Sequence, residues 1–182
     1  MIVSASRRTD IPALYLPWLN RRLQEGFCLV RNPHNPHSIS RVDLRPEAVD
    51  GMVLWTKNPI PLLQLPPALA RIPFYIQCTV TAYGRDLEPG LPPKPEILAA
   101  FRELAARLGP ARLVWRYDPI LFSAAYSLET HVARFADLAA QLEGCTDACI
   151  VSFLDSYRCT ARAERDLGLY RPAPESAQAL LR

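Results

Sequence analysis

The sequence predicts an α/β protein: a partial (β/α)6, TIM-barrel-like parallel sheet whose C-terminal end is expected to be incomplete. Three observations predict it. Several apolar runs lack the in–out alternation of a half-solvated strand, as parallel strands buried on both faces do. Amphipathic stretches follow them, the βα alternation that right-handed crossovers build into a barrel or a doubly wound sheet. Finally, 182 residues hold about six βα units at roughly 30 residues each, whereas a complete eight-fold barrel takes about 250. Prolines outnumber glycines 18 to 7 and sit between apolar runs rather than in a tract, which excludes a flexible low-complexity chain.

The elements follow in order. Ile2–Ser4 reads as a first strand. Pro12–Glu25 is helix-like, interrupted by Pro17 and ended by Gly26. Phe27–Val30 is a second strand, and Arg31–His37, with two Asn-Pro pairs, is a loop. Ser38–Val42 suits a short extra strand and Pro46–Asp50 a short helix. Met52–Trp55 is a third strand stopped by Asn58-Pro59, and Pro66-Pro67 limits Pro61–Ala70 to short helical pieces. Phe74–Val80, rich in β-formers, is a fourth strand. Ile97, Leu98, Phe101, Leu104, Ala105 and Leu108 then stripe one face of a helix that Gly109-Pro110 ends. Leu113–Arg116 is a fifth strand. Leu128, Val132, Phe135, Leu138, Ala139 and Leu142 stripe the next helix, with Ser127 as N-cap and Gly144 as stop. Ala148–Leu154 is a sixth strand and Asp155–Leu167 is helical. Residues 1–170 make one barrel-like domain, and 171–182 read as the start of a further element cut short.

Charge and cysteines narrow the function classes. The net charge is only +3, and the 21 basic residues are all arginine except Lys57 and Lys94. Arginine's fork suits carboxylate and phosphate, although shared enrichment in Arg, Ala, Leu and Pro also reflects genome composition. No basic run with interleaved aromatics appears, so nucleic acid is not indicated. No apolar stretch nears the ~18 residues of a membrane span. Without a secretory signal, the odd set Cys28, Cys78, Cys145, Cys149 and Cys159 reads as reduced thiols in a cytoplasmic protein. Cys145 and Cys149 have a spacing some metal sites use, but lack further ligands; His34 and His37 read as solvated loop residues, and His131 as a packing or capping residue. Metal ligands are therefore assigned to none of them.

In a parallel α/β sheet, sites form at the carboxyl ends of strands. Those positions are polar here: Ser6 to Asp10, Arg31-Asn32-Pro33, Thr56-Lys57-Asn58-Pro59, then Thr79, Thr81 and Tyr83, then Arg116-Tyr117-Asp118-Pro119, and finally Ser152 and Asp155. The topology would bring Arg7, Arg8, Arg31, Lys57 and Arg116 to one face with Asp10, Asp118 and Asp155. Cations held that close repel unless an anion or carboxylates neutralise them. The set reads as an anion-accepting pocket, with Asn32, Asn58 and Tyr83 as further ligand contacts and Asp10 and Asp118 orienting the cations or relaying a proton. The alternative is that Arg–Asp pairs lock the loops and the aspartates cap turns. Phosphate-loop, dinucleotide and Gly-x-Ser-x-Gly patterns do not occur.

The runs Ser4-Ala5-Ser6-Arg7-Arg8-Thr9-Asp10-Ile11-Pro12, Val30-Arg31-Asn32-Pro33, Leu54 to Pro59, Thr79 to Gly84, Val114 to Pro119 and Val151 to Asp155 resemble, in order, the bacterial family called domain of unknown function 1848. That family is uncharacterised. Its longer members resemble radical S-adenosylmethionine proteins in carrying a C-terminal cysteine cluster, apparently for an iron–sulfur centre, and such enzymes commonly use a six-unit partial barrel. The resemblance implies an iron–sulfur cluster and S-adenosylmethionine for full-length relatives, and neither for this chain alone, since no closely spaced cysteine triplet follows Cys159. Three functions stay open: the barrel part of a radical S-adenosylmethionine-like enzyme, a metal-independent barrel enzyme for a phosphorylated or carboxylated small molecule, and a binding module without catalysis.

Overall fold

Five of the apolar runs form one parallel sheet. The computed structural model describes residues 1–6, 8–155 and 160–180. Its elements are β1 (Ile2–Ala5), α1 (Ile11–Leu14), α2 (Leu16–Glu25), β2 (Phe27–Arg31), β3 (Ile39–Asp43), β4 (Gly51–Thr56), β5 (Phe74–Thr79), α3 (Lys94–Leu108), β6 (Leu113–Ile120), α4 (Leu128–Gln141), β7 (Cys149–Phe153), α5 (Ala161–Asp166) and α6 (Pro174–Leu180). The sheet runs β1-β4-β5-β6-β7, every neighbour parallel, so among the described residues β1 and β7 are its edges and no strand closes it. The expected α/β class with a parallel sheet holds, with five strands rather than six. Among the described residues no helix is long and apolar enough to cross a membrane.

The missing sixth strand is the second predicted one. β2 pairs antiparallel with β3 in a separate ribbon, Leu29 opposite Arg41 and Arg31 opposite Ile39. A parallel return needs a crossover of a dozen or more residues, and the loop from Asn32 to Ser38 is too short for one. The outer half of this ribbon is exposed on both strands.

Proline and glycine set the helix limits. Pro12 and Pro17 each occupy a first turn, where a missing N–H breaks no helical bond, so the predicted interrupted helix becomes two, parted at Tyr15. Gly26 ends α2 with a left-handed φ of 76°. The proline-divided stretch after β4 holds two 3-10 turns, Ile60–Leu63 and Leu69–Arg71. Ser127 caps α4 by accepting from Thr130 N. One expectation on α4 is corrected: Val132 is exposed, and His131 beside it is buried instead. His131 can be buried because both ring nitrogens are bonded, Nδ1 to the Tyr117 hydroxyl and Nε2 to Leu121 O, each at 2.8 Å. The described part of the predicted 155–167 helix is α5; residues 156–159 of that prediction lie outside the described residues.

Strand parity divides the sheet into two unlike faces. Ala5, Met52, Leu54, Phe74, Ile76, Cys78, Leu113, Trp115 and Tyr117 point one way, into a core shared with Leu16, Leu19, Leu23, Phe101, Leu104 and Leu138 of the helices. Successive residues of a strand point to opposite faces, so the other face carries Ser4, Trp55, Tyr75, Gln77, Arg116, Asp118 and Ser152. That second face contributes no member of the core cluster, and Ser4 and Ser152 on it are exposed.

Candidate functional site

β6 positions the central pair. It continues past Arg116 to Ile120, so Arg116 and Asp118 lie two residues apart on one face instead of in a turn beyond the strand. A register shift between Tyr117 and Ile120 accommodates Pro119, which lacks the N–H a regular ladder uses. Arg116 Nη2 donates to Asp118 Oδ2 at 2.5 Å, and Nη1 donates to Gln77 Oε1 at 2.8 Å. The guanidinium carbon lies 4.5 Å from the centroid of the Trp55 ring, a cation–π contact strengthened by partial desolvation. Trp55 Nε1 is held in turn by Ser4 Oγ at 3.0 Å.

The network continues across the strands. Gln77 Nε2 donates to the Tyr75 hydroxyl at 3.1 Å, and Ser152 Oγ donates to Asp118 Oδ1. Five strands thus each place a polar or aromatic group in one cluster on the face away from the core. Arg116 and Asp118 are 14% and 19% exposed, so the pair is held in partial desolvation but remains reachable. A guanidinium has five N–H donors. Two are used here, Nε is buried without a partner, and each outer nitrogen keeps one further N–H.

A second cluster lies at the carboxyl rim. The Glu88 carboxylate receives Lys57 Nζ at 2.5 Å, Lys94 Nζ at 3.2 Å and Thr81 Oγ1 at 3.0 Å. Burial alone would raise its carboxyl pKa, but the bond and charge of Lys57 and the charge of Lys94 outweigh burial and lower it.

Asp10 is a clamp. Oδ1 accepts from Ala13 N at 2.9 Å, capping α1, while Oδ2 accepts from Thr56 Oγ1 at 2.9 Å and Lys57 N at 2.7 Å. The preceding turn is strained: Ser6 has a φ of 82°, and its Oγ accepts from Ile11 N at 3.2 Å.

The remaining expected site residues do not join these clusters. Arg8 is exposed beyond β1, and Arg7 lies outside the described residues. Arg31 and Asn32 sit on the exposed β2–β3 ribbon, where Asn32 Oδ1 accepts from His34 N at 2.9 Å in a local turn. Asn58 shapes the turn after β4, its Oδ1 accepting from Ile60 N at 3.2 Å. Tyr83 is buried. Its hydroxyl donates to Pro119 O at 2.6 Å and accepts from Leu121 N at 2.9 Å, so it braces the β6 end. Asp155 is exposed. Of the four expected cations among the described residues, Arg116 and Lys57 fall in two separate clusters, each already containing a carboxylate, and Arg8 and Arg31 join neither. Sequence reasoning gives no weight to Gln77, Tyr75 or Glu88. Gln77 carries a signal, a lone amide within the apolar run Phe74–Val80, whereas Glu88 reads as an ordinary loop residue.

The family model described as Domain of unknown function (DUF1848) matches residues 2–182, nearly the whole chain. The chain belongs to that family. No curated protein and no solved structure shows significant similarity to it.

The described cysteines of this DUF1848 chain lie on separate elements. Cys28 is on the β2–β3 ribbon, Cys78 on the core face of β5, Cys145 in the turn before β7, and Cys149 at the start of β7. Among the described residues no group of three His, Cys, Asp or Glu side chains is placed to hold a metal ion. Burial pushes the Cys28, Cys78 and Cys149 thiols up, the last to about 11, with the Asp10 charge adding to the effect at Cys78. Thiolate ligands need the opposite shift. The described cysteines do not fit an iron–sulfur cluster.

Proposed function

We propose that this chain is the open, barrel-like, ligand-binding part of an enzyme that acts on a phosphorylated or carboxylated small molecule. The observation that supports this reading is the Arg116 cluster, set on the sheet face that the hydrophobic core leaves uncovered. A fully structural ion pair needs no aromatic platform and no relay through Gln77 to Tyr75. The cluster instead offers two outward N–H groups on a planar cation, a carboxylate beside them, and a ring wall. An anionic oxygen of the ligand would take the free Nη donors, and Asp118 would accept a donor of the same ligand or hold a proton. Ser4, Gln77 and Ser152 keep those groups oriented.

Thermal unfolding with inorganic phosphate, glucose 6-phosphate and malonate tests this at constant ionic strength. A ligand at 100 times its Kd stabilises the folded state by about 2.7 kcal/mol, or roughly 5–10 °C for a chain of this size. At least one probe is expected to stabilise the wild type, and Arg116→Lys, which keeps the charge but loses the fork, is expected to lose the response. No stabilisation by any probe, or an equal response in Arg116→Lys, overturns the proposal.

A further inference from the structure

The Glu88 cluster has the form of an anion site that is already filled. Its three donors come from separate places at the carboxyl end of the sheet: Lys57 just beyond β4, Thr81 just beyond β5, and Lys94 at the first residue of α3. Glu88 reaches them from the middle of the long connection between β5 and α3, and its side chain is only 9% exposed. Glu88 and Lys57 line a cleft of about 330 Å³ together with Asn58, Leu14, Leu87 and Leu91, while Thr81 and Lys94 line a separate one of about 530 Å³. That combination of an apolar body and a few polar groups suits a small organic ligand.

The charges show why the cleft does not attract an anion as it stands. Lys57 and Lys94 are both paired with Glu88, and the Asp10 carboxylate also lines the cleft. Asp10 cannot withdraw, because three donors from α1, Thr56 and Lys57 N hold it. Glu88 is carried by the connection between β5 and α3, and its backbone bonds, to Gly84 O and from Leu91 N, stay within that connection. Removing Glu88 would leave two ammonium groups and a hydroxyl around one vacated carboxylate position.

We propose that Lys57, Lys94 and Thr81 form an oxyanion subsite, for a phosphate or carboxylate group, which Glu88 fills until a ligand displaces it. The subsite rests on the reading of an anionic small-molecule ligand, but none of its residues belongs to the Arg116 cluster. A ligand dianion outcompetes the single carboxylate of Glu88, whose side chain then leaves its three donors while Gly84 and Asp86 stay bonded to the Tyr126 hydroxyl. The apparent affinity of the wild type is lowered by the fraction of molecules in which Glu88 occupies the donors.

Inorganic phosphate and malonate, titrated separately against sodium chloride at constant ionic strength, test the exchange in the full chain. Glu88→Gln is expected to bind one or both anions about tenfold more tightly than the wild type, because self-competition is gone. Adding Lys57→Met to that variant should abolish the gain. The ratio of the phosphate and malonate responses identifies which group the subsite takes. A second readout uses the wild type alone: saturating phosphate or malonate should speed cleavage by a glutamate-specific protease after Glu88, whose side chain is only 9% exposed while the lysines hold it. Equal or weaker binding by Glu88→Gln, a gain that survives Lys57→Met, or unchanged cleavage after Glu88 overturns the subsite. A response lost in Arg116→Lys yet intact in Lys57→Met would reject this subsite and leave the Arg116 reading standing.

Discussion

Asp10 offers the sharpest test of whether a polar strand end is a chemical group or a structural clamp. Replacing it with alanine removes the cap on α1 and the acceptor of Lys57 N. Loss of a side-chain cap costs about 1 kcal/mol. An unsatisfied backbone N–H that had bonded a charged acceptor costs about 2 kcal/mol more. Thr56 adds little, because its hydroxyl already lies 2.9 Å from Asn58 O and can donate there instead. Asp10→Ala is therefore expected to lose about 3 kcal/mol. Asp10→Asn keeps one oxygen for the cap but turns an amide N–H toward Lys57 N, and should lose about 2 kcal/mol. Urea unfolding, with the midpoint multiplied by an unchanged slope, measures both. A loss under about 1 kcal/mol for the alanine variant would refute the clamp. An unaltered stability in Asp10→Asn, combined with a lost phosphate response, would restore Asp10 as a chemical participant.

Two further predictions concern the scaffold. Burial lowers the pKa of His131 despite the supporting bond to Leu121 O, so the folded protein holds this ring neutral. Its contribution is fully present above the unfolded histidine pKa of about 6.5 and is lost as the pH falls through the lower folded value. Urea midpoints should therefore drop from pH 7.5 to 5.5 in the wild type and drop less in His131→Gln; parallel profiles would contradict this. Gly26→Ala should cost about 1–2 kcal/mol by the same assay, since a side chain is disfavoured at left-handed φ. Its Cβ would also meet Arg45 Cγ at 2.9 Å; a neutral or stabilising change would contradict the cap geometry.

What the sequence makes legible is whatever a local rule decides. The stripe from Ile97 to Leu108, the Ser127 cap and the Gly26 stop each depend on neighbours within a few positions, and each forms. The parallel class is legible because apolar runs alternate with helices. What escapes is set by distant partners. Phe27–Arg31 looks like any other buried run, and only the seven-residue gap to Ile39 decides that it turns back on itself. The predicted fifth strand ends at Arg116, yet the shifted register against β7 carries the strand past Pro119, which puts Asp118 beside Arg116 rather than in a turn. Lys57 and Glu88 are 31 residues apart, and no local pattern couples them.

The division into two compensated clusters changes how ligand affinity should respond to salt. Five unpaired cations on one rim would act as a pooled field, which screening weakens over a Debye length of about 10 Å at 0.1 M. The structure instead sets Arg116 against Asp118 and Lys57 against Glu88 at 2.5 Å each, and leaves Arg8 and Arg31 in solvent. At such distances the ions between are excluded, and the interaction a ligand gains is a short, directed hydrogen bond rather than a long-range potential. Phosphate or malonate affinity is accordingly expected to fall less than about threefold between 50 and 500 mM sodium chloride, as read by titration calorimetry. A fall of tenfold or more would mean that the exposed arginines contribute a common field after all. In that event discrimination between ligands would follow their total charge, whereas paired clusters discriminate by whether a ligand can match the fork of Arg116 or displace the carboxylate of Glu88.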